Sequence, residues 1–177
     1  MLKPLVYQIA FGEIPEEIQK CLDSVKAWAD KMGYDYQCDT EVPSKYEGRP
    51  YRITSEWIRI EKLAERPYLC YVDWDIMILK DIVLEENILT INTIDTFLYL
   101  GNNIEIAQKV LERANNTYSN RDKTGFGHHI YKRFLGQGYE KFLLNINSYK
   151  HLGWHRRDRD KDIDRDKFQH KHRINNS

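Results

Sequence analysis

The stretch Tyr68-Leu69-Cys70-Tyr71-Val72-Asp73-Trp74-Asp75-Ile76-Met77-Ile78-Leu79 decides how the chain is read. Apolar, β-prone residues run up to two carboxylates one residue apart, and the sequence then turns apolar again. The run lacks the polar alternation of a half-exposed strand, so it predicts a strand covered on both faces, as in a parallel sheet. In extended backbone the side chains at i and i+2 share a side, which would make Asp73 and Asp75 converge while Trp74 faces away. Ligands of open α/β sheets gather outside the carboxyl ends of such strands. Two oxygen ligands there suggest a divalent cation bridging to a phosphorylated substrate.

Upstream, a helix is predicted over 54–65, stopped by Pro67. Trp57, Ile60 and Ala64 supply its buried face, and Glu56 and Arg59 lie three apart on one side. On spacing alone that pair reads either as part of a site or as a surface ion pair worth well under about 1 kcal/mol. The chain opens with a strand over 5–10, a turn at Phe11-Gly12-Glu13 and a helix over 15–32. Pro15, then Glu16 and Glu17, mark the helix start, and Gly33 marks its end. A second strand over 34–38 completes a β-α-β opening, which favours a right-handed parallel unit. Residues 40–53 read as loop. Downstream, 82–94 reads as short mixed pieces, 96–100 as a strand and 104–114 as a helix. Gly125-Phe126-Gly127 reads as a turn within 124–135, which continues as a helix, and 138–146 holds a last strand.

A chain of 177 residues is long enough for one domain with a real core. Lys+Arg and Asp+Glu both number 27, so no overall basic field argues for nucleic acid or an anionic membrane. The apolar start is too short for a signal peptide, and nothing approaches the roughly 18 apolar residues of a membrane span. Cys21, Cys38 and Cys70 are odd in number and lack metal-ligand spacing, so reduced thiols and a cytoplasmic location are expected. There is no P-loop pattern and no Gly-x-Ser-x-Gly elbow, hence no support for covalent serine catalysis. From Arg156 the mixed-sign run predicts a charged helix, tail or linker over 156–177, following a domain over 1–155. Among the six histidines, His128 and His129 follow the glycine turn, and His151 and His155 bracket Leu152-Gly153-Trp154. A histidine beside two carboxylates would suit Mn²⁺ better than oxygen ligands alone. Nothing in the sequence sets an oligomeric state.

The segments Ser55-Glu56-Trp57-Ile58-Arg59 and Tyr71-Val72-Asp73-Trp74-Asp75 resemble the sugar-nucleotide-binding region of GT-A-fold glycosyltransferases. The family in view carries Ser-Asp-x-x-Arg followed by a Tyr-Leu-Asp-x-Asp strand. It includes fungal mannosyltransferases, capsule-type transferases and, more remotely, the glucosylating clostridial toxins; small viral glycosyltransferase domains are similar in size. The resemblance extends over residues 4–155 and is specific between 55 and 79. It implies a single GT-A-like (Rossmann-like) α/β domain, with a mainly parallel central sheet flanked by helices. The implied activity is metal-dependent transfer from a UDP- or GDP-linked sugar to a glycan or glycoprotein acceptor, with retention. By position, Asp75 would be the principal ligand of Mn²⁺ or Mg²⁺, and Asp73 would contact ribose or sugar and support the ion. Arg59 would hold the donor sugar or its diphosphate, and Glu56 a sugar hydroxyl. Gln8, Ala10 and Phe11 would line the base pocket. Trp154, His151 or His155 would close over the diphosphate, the histidines also as metal ligands. The chain departs from the family at Glu56, where Asp is expected, at Glu65-Arg66-Pro67, which replaces a Tyr-Gly-Gly bend, and at Phe126, which replaces a proline.

Such chemistry needs these groups because breaking the anomeric C–O bond loads negative charge onto the departing nucleoside diphosphate. A divalent ion and a fixed guanidinium stabilise that charge without proton transfer. Two other readings use the same residues. One is a sugar-nucleotide-binding or inactive transferase domain, since fold does not imply function. The other is a haloacid-dehalogenase-type phosphatase with Asp73 as nucleophile. That reading expects Thr or Val where Met77 stands, and an acidic pair ending the first strand.

Overall fold

The computed structural model of the chain describes residues 2–86, 90–91, 97–117 and 148–152. Strand β1 (Leu5–Ile9) is buried along its whole length, which its unbroken run of apolar and aromatic residues with one glutamine already favours. Helix α1 (Glu16–Met32) follows and buries Ile18, Cys21, Leu22, Val25, Trp28 and Ala29 along one stripe. It ends at Gly33, whose φ of 72° lets its N–H reach back to the carbonyls of Ala29 and Asp30. Strand β2 (Asp35–Asp39) then pairs parallel with β1 at the sheet edge.

The loop expected over 40–53 is shorter than the sequence suggests. A 3₁₀ turn (Ser44–Tyr46) interrupts it, and helix α2 (Tyr51–Glu65) begins one turn early. Pro50 causes this: its φ of −56° is already helical in sense, and its carbonyl accepts the Thr54 N–H at 3.0 Å. Strand β3 (Leu69–Val72) follows, pairing parallel with β1 on the side away from β2. Tyr68 takes the bend before it at a φ of 58°, held by donation to Gly101 O and by the Leu5 N–H on its own carbonyl, both at 2.9 Å.

The apolar run that opened the sequence reading is two strands rather than one. The chain leaves the sheet after Val72, turns through Asp73-Trp74-Asp75, and continues as β4 (Ile76–Ile78). The Asp73 carboxylate accepts the Trp74 N–H at 3.0 Å, and the Asp73 carbonyl accepts the Ile76 N–H at 3.2 Å. This local bonding competes with strand continuation, as Asp does in turns.

Beyond it lie β5 (Thr90–Ile91), β6 (Phe97–Tyr99) and α3 (Ile104–Thr117). The last described strand, β7 (Tyr149–His151), pairs antiparallel with β4.

The main sheet has the order β2-β1-β3-β6-β5. Only β6 is reversed, since β5 runs antiparallel to it and therefore along β3, so the sheet is mainly parallel as expected. Leu5, Tyr7, Ile9, Leu69, Tyr71 and Leu98 face a layer that includes Trp57, Ile60 and Leu63 of α2 and Ile106 and Val110 of α3. Val6, Cys70, Val72, Phe97 and Tyr99 face Val25, Trp28 and Ala29 of α1. No described helix is long and apolar enough to cross a membrane. The helix over 124–135, the strand over 138–146, the boundary at 155 and the charged segment 156–177 lie outside the described residues, as do His128, His129, Trp154 and His155.

Candidate functional site

The chain steps from β1 outward to β2, then back across β1 to β3, so the crossover direction reverses between β1 and β3. Neighbouring loops diverge at such a point and leave a crevice at the carboxyl ends of the strands. The residues emerging there are Ala10 and Phe11 from β1 and the Asp73-Trp74-Asp75 turn from β3.

Asp73 is fixed at both its ends. Its Oδ1 accepts the Trp74 N–H and, at 3.2 Å, the Tyr71 hydroxyl. Its carbonyl accepts Gln8 Nε2 at 3.3 Å besides the Ile76 N–H. Asp75 is fully buried, its carbonyl accepts the Leu152 N–H at 3.0 Å, and its Oδ2 lies 3.3 Å from His151 Nε2. The β4–β7 ladder produces that meeting, because it sets His151 opposite Ile76. The two carboxylates therefore do share one place, through a turn rather than through the i, i+2 geometry of a strand. Burial and the negative charge of Asp75 push the Asp73 carboxyl above its ordinary pKa, while the Trp74 N–H, Arg59 and the Tyr71 hydroxyl pull it down.

Arg59 and Glu56 are both buried, with 4% and 6% of their surface exposed, so the surface-ion-pair reading does not hold. Helix α2 packs on β3 and lays the Arg59 guanidinium carbon 4.8 Å from the centre of the Tyr71 ring. Its charge also acts on the Asp73 carboxyl. Arg59, Tyr71 and Asp73 thus form a continuous series from helix to turn.

Gln8, Ala10 and Phe11 are all buried at the β1 exit. Gln8 sits between the Tyr36 hydroxyl, which donates to its Oε1 at 2.9 Å, and the Asp73 carbonyl. Ala10 packs with Ile18, Leu22 and Trp74, while Phe11 meets the Tyr51 ring edge-on at 5.9 Å. Tyr51 also lies 5.8 Å from the Trp74 ring and donates to Ile9 O at 3.3 Å. Beside them Asp39, at the end of β2, accepts from Tyr7 Oη and Gln37 Nε2, each at 2.7 Å.

Tyr36, Tyr51 and Asp39 were not legible as site residues, since each joins the site through another strand or helix. Tyr71 was missed as well, although its place two residues before Asp73 at the same strand exit is a signal that its hydroxyl can reach that carboxylate.

Among the described residues, no three His, Cys, Asp or Glu side chains cluster tightly enough to hold a metal ion by themselves. Asp75 with His151 beside it forms a partial donor set. Mg²⁺ and Mn²⁺ are commonly held by one or two protein carboxylates, with phosphate oxygens and water completing the shell, and two carboxylates close enough for the charge of Asp75 to act on Asp73 fit that pattern.

The protein has a GT-A-like α/β fold. Among solved structures, the chain is similar to the crystal structure of a glycosyltransferase involved in the glycosylation of the major capsid of PBCV-1. The TM-score is 0.52 at 14% sequence identity, covering 90% of this chain and 100% of that one. CTP:phosphocholine cytidylyltransferase from Streptococcus pneumoniae aligns with a TM-score of 0.42 at 10% identity, covering 92% and 100%, too distant to carry an argument. No protein-family model and no curated protein sequence matches the chain. At these identities the likeness speaks for the fold alone.

Proposed function

We propose that the protein is a metal-dependent glycosyltransferase that moves a sugar from a UDP- or GDP-linked donor to a glycan or glycoprotein acceptor, with retention. The observation that carries this reading is the acidic turn at the carboxyl ends of β1 and β3, with buried Arg59 acting on Asp73 and His151 beside Asp75. A second support is electrostatic. Helix α2 starts at this edge with Tyr51 over the β1 exit, without a side-chain cap and with no acidic residue in its first turn. Its positive end therefore carries no carboxylate from its own cap or first turn, which favours an anionic group such as a diphosphate.

In this reading Asp75 and His151 hold Mn²⁺ or Mg²⁺, and the bound ion would neutralise the charge of the departing diphosphate. Arg59 supplies a fixed charge to the same group, and the Tyr71 ring beneath it keeps the guanidinium in place. Glu56 takes a sugar hydroxyl. Asp73, already held by Tyr71 and Trp74, contributes negative charge beside the ion and an oxygen toward ribose or sugar. The acidic pair follows the third strand in the chain rather than the first, which weighs against the phosphatase reading.

Calorimetry of UDP and GDP with Mn²⁺ and with EDTA tests this directly. One nucleotide should bind at least about tenfold tighter with the metal, and Asp75→Asn should remove that difference. The matching donor should be slowly hydrolysed without acceptor, which a binding module would leave intact. Equal affinity with Mn²⁺ and EDTA for the wild-type protein would sink the metal role.

A further inference from the structure

Gln8 is an odd residue for its place. It lies on an inner strand of a sheet packed on both faces, is fully buried, and interrupts an otherwise apolar and aromatic strand. A buried amide costs free energy unless both its ends are bonded. Here both are: the Tyr36 hydroxyl on β2 donates to Oε1, and Nε2 donates to the Asp73 carbonyl beyond β3. The Asp73 carbonyl can only accept, so it fixes the NH₂ end of the amide toward itself and leaves Oε1 to the Tyr36 hydroxyl. The relay crosses three adjacent strands and ends on the peptide unit whose side chain is Asp73.

We infer that Gln8 is a positioning residue of the acidic turn, its amide braced at Oε1 by Tyr36 and holding the Asp73 carbonyl through Nε2, and thereby the direction of Asp73 and Asp75. The inference differs from a direct contact with the nucleobase, which would need the same amide free. Its bearing on catalysis rests on the transferase reading above; the positioning itself does not. Without Gln8 the turn keeps the Ile76 N–H on the Asp73 carbonyl and the Trp74 N–H on the carboxylate, so it remains formed but loses its anchor to β1.

The test uses the full chain and two variants. Gln8→Met keeps the volume and removes both bonds. Tyr36→Phe, at a half-buried position, removes only the hydroxyl that braces the amide oxygen and guards against a methionine variant that folds poorly. Hydrogen–deuterium exchange should speed up about tenfold at the Trp74 and Ile76 amides in Gln8→Met, and less in Tyr36→Phe, with β1 and β3 amides unchanged. The double variant should add little to Gln8→Met, because the two groups act as one unit. A merely structural role would instead raise exchange throughout the sheet, and that outcome overturns the inference. So does unchanged exchange at Trp74 and Ile76, above all if Gln8→Met also weakens UDP or GDP binding in EDTA, since that pair of results puts the amide on the base. In parallel, Gln8→Met should lose metal-dependent nucleotide affinity while keeping the metal-free part. If the wild type shows no metal-dependent binding, the transferase reading fails while the exchange result still decides the role of Gln8.

Discussion

Arg59 shows why burial changes the meaning of a charged residue. At a surface position its pairing with Glu56 would matter little. Four per cent exposed and stacked on Tyr71, it is instead a desolvated fixed charge one side chain away from Asp73. Lysine keeps the charge but not the planar fork or the stacking. Arg59→Lys should therefore slow donor hydrolysis by about a hundredfold, in line with losing one preorganised donor. It should lower stability by only about 1 kcal/mol from the lost ring contact. Turnover assays and urea titrations separate the two. Unchanged turnover with a large stability loss would make Arg59 a core residue only.

Elements meet at their ends here, and the ends are set by single residues. Gly33 closes α1 in the left-handed region, and an added Cβ would meet nothing within 4 Å. The cost of a side chain there is therefore conformational and not steric. Gly33→Ala should destabilise the protein by about 1 kcal/mol and Gly33→Asn by less, since Asn tolerates this region. Thermal or urea unfolding measures both, and equal losses would point to packing instead. Tyr68 carries a similar backbone demand before β3, at a φ of 58°. The backbone bonds to Gly101 and Leu5 hold it there.

On the scale of the whole molecule, one sheet separates two apolar layers, and the site forms where both layers stop at its carboxyl edge. Trp57 is among the largest fully buried side chains and sits in the layer between sheet, α2 and α3. Trp57→Ala should cost about 3–5 kcal/mol. Against a typical total of about 5–15 kcal/mol, that leaves a protein with a clearly lower urea midpoint or one that accumulates unfolded. Circular dichroism during urea titration checks this. A loss under about 1 kcal/mol would mean the α2 layer can collapse around the gap.

The sequence alone determined the alternation of strand and helix, the two-sided burial of β3 and the place of Asp73 and Asp75 at its end. Those features are written locally, in apolar runs, in Pro15, Gly33 and Pro67, and in residue spacing. It also carried the alignment of Glu56 and Arg59 on one side of a helix. Tertiary structure decided the rest. Docking of α2 on β3 took Glu56 and Arg59 out of solvent. The turn bonds of Asp73 broke one apolar run into β3 and β4, and β7 returned to β4 to bring His151 to Asp75. The relay from Tyr36 through Gln8 to Asp73 exists only because β2, β1 and β3 lie side by side. Each of these depends on which remote backbone supplies a hydrogen-bond partner, and a local pattern of residue types carries no address for a partner that far along the chain.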